Sequence, residues 1–389
     1  MPSCMRTLLE RYNGRIRLLE AHDHISREIV STVTGDEGES FQGIWISSLT
    51  QTTYLGVPDT ELISPLERAS SLKWLRHQPQ HQSRSRLCVA YDADNGGSPP
   101  EIPSLVAKLS SLGVSMIVIE DKSVNGPGQK VNSLAQTSSS QRQADMYSFA
   151  EKIQAFVTAS IATDMVVAAR IESFTVRAVK ADPEEERLSV RDALEDAFRR
   201  AECYKKAGAG AIMIHSKRPD PGEVLRFLKE FRLRDPSTPL IVVPTTFGNT
   251  PEDTFYNAGA NILIYANHLM RAKIHASSKF SKVFLGEAPG VFMHDADLWS
   301  CFANRNFGCL LRKLKQGENL DDEAVRYLEG AQEDAVKNMV AVAKHLVVGD
   351  MSDVVDKRLI SVQDLLEINS RQVTVTKGLF DNMTEEQQS

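Results

Sequence analysis

Three acids, Asp92, Asp94 and Glu120, stand where apolar runs stop, in the stretches LCVAYDAD and MIVIEDK. A carboxylate at the end of a buried run is costly unless something pairs with it. Acids at i and i+2, joined by one from the next run, can gather oxygens around a hard cation, and Mg²⁺ favours a few carboxylates together with waters. The competing reading is an ion network in which Lys122 or Arg170 neutralises them; three acids need more positive charge than one lysine supplies, which favours the cation. Arg170 closes the run VVAAR, where its guanidinium could fork onto a ligand carboxylate or phosphate, or pair with Glu172 or Glu120. His215 follows AIMI and could donate to a developing anion or be a satisfied core histidine. Ser47, Ser48 and Leu49 lie at a run-to-loop turn whose hydroxyls and backbone N–H groups suit an oxyanion.

These positions depend on the runs that carry them. Strand-like segments recur at 15–21, 42–47, 87–93, 115–121, 165–171, 211–216, 240–244 and 261–266, several apolar at consecutive residues, as in parallel strands covered on both faces. Amphipathic stretches alternate with them, including one that begins near Asp192 and stops at Gly208. Eight such alternations predict a (β/α)8 TIM-type barrel with a C-terminal helical extension, the open doubly wound sheet being the weaker alternative. Catalytic groups in that fold come from the C-terminal ends of strands, which here also carry Glu20, Thr245 and Asn267. The expected division is a barrel over 1–275, a helical insert over 276–345, and a C-terminal helix with a polar tail over 346–389 that completes the barrel domain or an oligomer. The loop GPGQK at 126–130 lacks the GxxxxGK[ST] pattern of a phosphate-binding P-loop and is expected instead to cover the barrel mouth.

The 389 residues, 42% apolar and 25% charged, describe a well-cored soluble chain, and a net charge of −6 gives no basic field for nucleic acid. No apolar stretch approaches the roughly 20 residues that span a bilayer, and the N-terminus lacks a signal-peptide core, so no membrane association and a cytoplasmic location are expected. Five dispersed cysteines without CxxC spacing argue against a zinc site or a disulfide framework and fit a reducing compartment.

GIWISSLTQTTYLGVPDTE, DAD, IEDK, KVNSL, AARIESF, AGAGAIMIHSK, VVPTT and ANHLMRA occur in the order found in phosphoenolpyruvate mutases of the isocitrate lyase superfamily, which the chain resembles from about 12 to 274 and again at 355–368. The resemblance implies a Mg²⁺-dependent enzyme interconverting phosphoenolpyruvate and phosphonopyruvate. By carry-over, Asp92 ligates the metal, with Asp94, Glu120 and Asp59 holding its waters. Ser47, Ser48, Leu49 and Arg170 grip the pyruvyl carboxylate and oxygen, while Lys130, Asn132, Ser133 and His215 surround the phosphoryl group; Asp59 also stands near that group, and Lys122 belongs to the same catalytic set. A homodimer or homotetramer is expected from the family. Two departures stand out. Nine residues separate Lys122 from the Asn132-Ser133 pair, where the mutases have five, and DAD is followed by Asn95-Gly-Gly-Ser. Phosphonopyruvate hydrolase is the nearest alternative, disfavoured by Asn132 where that enzyme has threonine. A carbon–carbon lyase is disfavoured because no cysteine lies between Cys88 and Cys203. A non-catalytic scaffold would have no physical need for so many buried charges.

Overall fold

The computed structural model describes residues 4–76, 87–124, 126, 128–133, 141–248, 250–287, 335–346 and 359–371, with side chains of the last helical positions before 288 and after 369 left aside. Eight parallel strands close into a barrel: β1 (Ile16–Glu20), β2 (Gly43–Ile46), β3 (Cys88–Asp92), β4 (Met116–Glu120), β7 (Val166–Ile171), β8 (Ala211–Ile214), β9 (Leu240–Val242) and β10 (Ile262–Tyr265). β10 pairs back onto β1 with Ile16 opposite Ile262. The expected (β/α)8 barrel is therefore the fold, each of the eight strands lying within an expected run. A short antiparallel ribbon, β5 (Lys122–Ser123) and β6 (Arg142–Gln143), forms the stem of the loop after β4.

Side chains alternate across a strand, and both faces here are buried. Ile16, Leu18, Trp45, Ala90, Met116, Val118, Ala168, Met213 and Ile264 fill the barrel interior. Leu19, Ile44, Tyr91, Ile117, Ile119, Val167, Ile212 and Leu263 face the surrounding helices. Continuing the inward set by two residues reaches Glu20, Ser47, Asp92, Glu120, Arg170 and His215, so one polar layer sits on the apolar plug at the C-terminal mouth. The same alternation sends Asp121 outward. Its carboxylate accepts from Arg200 and Tyr204 of α8 (Pro183–Lys206) at 3.1 and 2.7 Å, and from the backbone N–H of Glu172 at 2.9 Å. Burial beside Glu172 pushes it up to about 6 despite Arg200 and Tyr204. Glu120 and Asp121 are thus neighbours in sequence that serve opposite sides of the barrel wall.

At the other end, α1 (Cys4–Arg11) lays Met5 and Leu8 against the interior cluster and closes the N-terminal mouth. Cys4 and Cys88 are joined there as a disulfide, Cα to Cα 6.1 Å, a pairing not anticipated by the reading against a disulfide framework. Their separation of 84 residues hides the contact: Cys88 opens β3 on its inward face, where the end of α1 meets it. With that pair present, cysteine usage no longer argues for a reducing compartment. Among the described residues no helix is long and apolar enough to cross a membrane.

The Asn-Gly-Gly departure after DAD forms a tight turn. Asp94 and Gly96 adopt φ of 51° and 89°, and a Cβ on Gly96 would come within 2.9 Å of the Phe156 ring. Lys152 of α6 (Met146–Ser160) caps this turn through the carbonyls of Asn95 and Gly97, at 2.9 and 3.2 Å. Beyond the barrel, α11 (His268–Glu287) packs against a helix over 335–346, whose Asn338 donates to Ala272 O at 2.9 Å. A last helix, α13 (Val362–Arg371), lies on α3 (Ser48–Leu55). Most of the expected insert and all of the polar tail lie outside the described residues.

His268, fully buried at the start of α11, has no hydrogen-bond partner for either ring nitrogen among the described residues and rests edge-on against Tyr265. Burial, then Arg271, holds its pKa well below the ordinary 6.5. The unfolded chain therefore takes up a proton that the folded chain refuses. The penalty is absent above the unfolded pKa and grows by about 1.4 kcal/mol per pH unit below it. His268→Leu is expected to retain stability at pH 7 and to lose about 2 kcal/mol less than the parent between pH 6.5 and 5, by urea melts at both pH values. An unchanged difference between the two pH values would contradict this.

Candidate active site

The acids at the mouth are held from three directions. Asp92, on β3, accepts from the Ser48 N–H and hydroxyl at 3.4 and 3.2 Å, and from the Asp94 N–H at 3.2 Å. Arg68, of α4 (Pro65–Ser71), reaches up beneath them, 1% exposed. It donates to Asp94 Oδ2 and to the Asp92 carbonyl, both at 2.7 Å, and to Gln51 at 2.9 Å, while lying over the Tyr91 ring. From above, Lys130 pairs with Asp94 and lies 3.2 Å from Asp59 Oδ1 and 3.3 Å from Ser48 Oγ. Burial would raise Asp94, but Arg68 and Lys130 outweigh it and hold that carboxylate well below the ordinary range. The reciprocal holds for Lys130, whose pKa Asp59 and Asp94 raise in spite of burial.

Asn132 donates to the other Asp59 oxygen at 2.7 Å. Ser133 accepts from Lys122 and Arg170, each at 2.7 Å, and donates to Glu172 at 2.9 Å. Lys122 is 3.2 Å from Glu120, and Arg170 lies 3.3 Å from Glu120 and 2.5 Å from Glu172. The ion pairs left open for Arg170 and Lys122 are thus both present. Lys130 meets the acids in spite of the nine-residue spacing, because β5 and β6 set the loop stem and Lys130 N–H bonds the Thr60 carbonyl at 3.1 Å.

Ser47, Leu49 and His215 share no hydrogen bond with this network among the described residues. Ser47 precedes α3 and leaves its side chain uninvolved in capping. Leu49 turns its side chain into a cluster with Met270 and Leu365, so only its backbone is available to a ligand. His215 is buried with no partner at Nδ1. Desolvation, Arg170 and Lys122 push it down to about 3 against the pull of Glu172, which leaves a neutral imidazole at the mouth.

Sequence reasoning missed Arg68, Glu61 and the extent of Glu172's involvement. Arg68 reads as a charge on an ordinary short helix, and its partners lie 17 to 26 residues away. Glu61 lies in the loop beside Asp59 with φ 57° and carries no motif signal. One oxygen each from Glu61, Asp94 and Glu120 can lie within 4.8 Å of one another. Among the described residues, six carboxylates (Asp59, Glu61, Asp92, Asp94, Glu120, Glu172) face five cations, Arg68, Lys122, Lys130 and Arg170 with Lys152 beside Glu61. The surplus acid is felt at Glu61, which burial, Asp94 and Glu120 push up to about 8 although Lys130 opposes them. Hard oxygen donors with uncompensated negative charge fit a divalent cation such as Mg²⁺.

The family model for phosphoenolpyruvate phosphomutase matches residues 5–285. This chain belongs to the phosphoenolpyruvate phosphomutase family. A phosphoenolpyruvate phosphomutase of Tetrahymena pyriformis is 33% identical over 266 residues, 68% of this chain and 77% of that protein. A phosphonopyruvate hydrolase of Variovorax sp. (strain Pal2) is 30% identical over 242 residues, 62% and 74% of the two chains. The phosphoenolpyruvate phosphomutase structure from Streptomyces platensis subsp. rosaceus superposes with a TM-score of 0.59 at 26% identity, covering 81% of this chain and 98% of that one. The family is one of enzymes, and the polar layer described above occupies the barrel end where this fold keeps its chemistry.

Proposed function

We propose that the enzyme interconverts phosphonopyruvate and phosphoenolpyruvate, breaking the bond from phosphorus to C3 and forming one from phosphorus to the C2 oxygen of the same pyruvyl unit. The observation that carries this reading is the meeting of Lys130 and half-buried Asn132 on Asp59, beside Ser48 and the Asp92-Asp94 pair, with Lys130, Asp59, Ser48, Asp92 and Asp94 all buried. Phosphoryl transfer passes through a loose transition state that needs positioning and positive charge more than covalent help. Lys130 and Asn132 hold the phosphoryl oxygens, and Ser133, bonded to both Lys122 and Arg170, orients Lys122 beside them and Arg170 toward the pyruvyl carboxylate. Ser47, Ser48 and the Leu49 N–H, with Arg170, bind the pyruvyl carboxylate. Neutral His215 offers a hydrogen bond without adding charge. Asp92, Asp94, Glu120 and Glu61 supply the oxygens for Mg²⁺, which when bound neutralises the enolate charge left on the pyruvyl oxygen.

The loop's tie to Asp59 and Thr60 favours transfer over hydrolysis, because a covered mouth keeps water from the migrating group. Supplying phosphonopyruvate and Mg²⁺ and following phosphorus by NMR tests the proposal. A phosphoenolpyruvate signal is expected. Inorganic phosphate alone would move the reading to the hydrolase, and an unchanged spectrum would sink both.

A further inference from the structure

We propose that Asn369, on the C-terminal helix α13, is a positioning residue for Asp59, and that the helix is thereby part of the catalytic end of the barrel. Asn369 is 4% exposed and uses both halves of its amide. Its oxygen accepts from the Asp59 N–H at 2.7 Å, 310 residues away in sequence. Its nitrogen donates to the Val57 carbonyl at 3.1 Å and to Thr53 Oγ1 at 3.0 Å, with Thr52 Oγ1 at 3.5 Å. The segment between these anchors contains Pro58, which has no N–H of its own to bond. One side chain therefore fixes the backbone on both sides of that proline. The side chain it orients is the one that receives Lys130 and Asn132.

The helix reaches this place by independent means. Leu365 packs with Leu49 and Met270, with Leu366 and Ile360 alongside, and Arg271 donates to the Ile360 carbonyl at 2.6 Å. Docking of α13 and orientation of Asp59 can thus be separated by mutation. Asn369 touches no reacting atom in this reading; it acts through the Asp59 backbone, and the inference rests on the proposed function only for its kinetic consequence.

The test compares full-length Asn369→Leu, which is close in shape but lacks both polar functions, with Asn369→Asp, which keeps the acceptor for the Asp59 N–H. Leu365→Ala serves as a reference that loosens α13 by packing alone. For Asn369→Leu, hydrogen–deuterium exchange in the peptide 56–62 is expected to quicken by about tenfold or more, with kcat on phosphonopyruvate down by about tenfold and KM within about threefold. Phosphate should rise relative to phosphoenolpyruvate among the products. Asn369→Asp should fall between Asn369→Leu and the parent in exchange and kcat, and Leu365→Ala should lower the melting temperature with less than about a twofold change in kcat. Unchanged exchange at 56–62, or a kcat loss in Leu365→Ala equal to that in Asn369→Leu, would overturn the proposal. If the parent converts phosphonopyruvate to neither product, the functional reading fails, while the exchange measurement still decides whether Asn369 orders Asp59.

Discussion

Asp92→Ala is expected to lower kcat on phosphonopyruvate by about a thousandfold or more and to leave the chain folded. Asp92 stands at the inward end of β3, between the Ser48 donors and the Asp94 turn. Its loss removes a carboxylate oxygen from the proposed Mg²⁺ site but leaves the apolar layer beneath untouched. Burial and Asp94 raise its pKa above the ordinary carboxylate value, against the pull of Lys130 and Arg170. Removing a strained like charge therefore costs little folding stability, and the melting temperature should stay near that of the parent or rise. Chelation of the metal should reproduce the kinetic loss in the parent and add nothing in the variant. Activity that survives Asp92→Ala, or a variant still inhibited by chelator to the parent's extent, would remove the metal assignment.

Lys130→Ala should lower kcat by about a hundred- to a thousandfold, the range for deleting one preorganised donor aimed at developing charge. Lys130 is buried among Asp59, Asp94 and Ser48, so the deletion also leaves two acids short of a partner. That shortage would be visible apart from catalysis, as a drop in melting temperature relative to the parent that is larger at pH 8 than at pH 5, where protonation relieves the acids and the penalty of the buried histidines cancels in the comparison. The sign follows from Glu61, which burial, Asp94 and Glu120 push up to about 8 while Lys130 pulls it down: without the cation its carboxyl rises further, and ionising it between pH 5 and pH 8 costs the folded chain more. Lys130→Arg should not restore the rate, because a planar fork cannot take the place of a point charge shared by three acceptors. Normal turnover in Lys130→Ala would assign the phosphoryl contact to Lys122 instead.

Much of this arrangement was legible in the chain because a barrel strand has a period of two and two buried faces. That pattern placed Asp92, Glu120, Arg170 and His215 in one layer once the ends of their strands were read correctly. It did not separate Glu120 from Asp121, since the two acids are adjacent and only the alternation, set by which side chains fill the interior, tells them apart. Contacts that cross the barrel were not legible. Arg68 rises beneath Asp94 from a helix whose sequence is unremarkable for a surface element, and Asn369 meets Asp59 across 310 residues. Neither carries a local signal, because each is specified by the packing of whole helices. The Cys4–Cys88 bond was hidden in the same way, by an N-terminal helix folding over the barrel floor. The lengthened loop is a departure from the mutases in spacing alone: Lys130, expected at the phosphoryl group, meets Asp59 and Asp94.

The central claim is that the phosphoryl group passes between two atoms of one pyruvyl unit in a site that keeps water away. Turnover of phosphonopyruvate with Mg²⁺ in ¹⁸O-enriched water tests it most directly, with products resolved by phosphorus NMR and mass spectrometry. The account predicts phosphoenolpyruvate as the main product, with no solvent oxygen among the terminal phosphoryl oxygens. Inorganic phosphate carrying one solvent oxygen as the main product would contradict it.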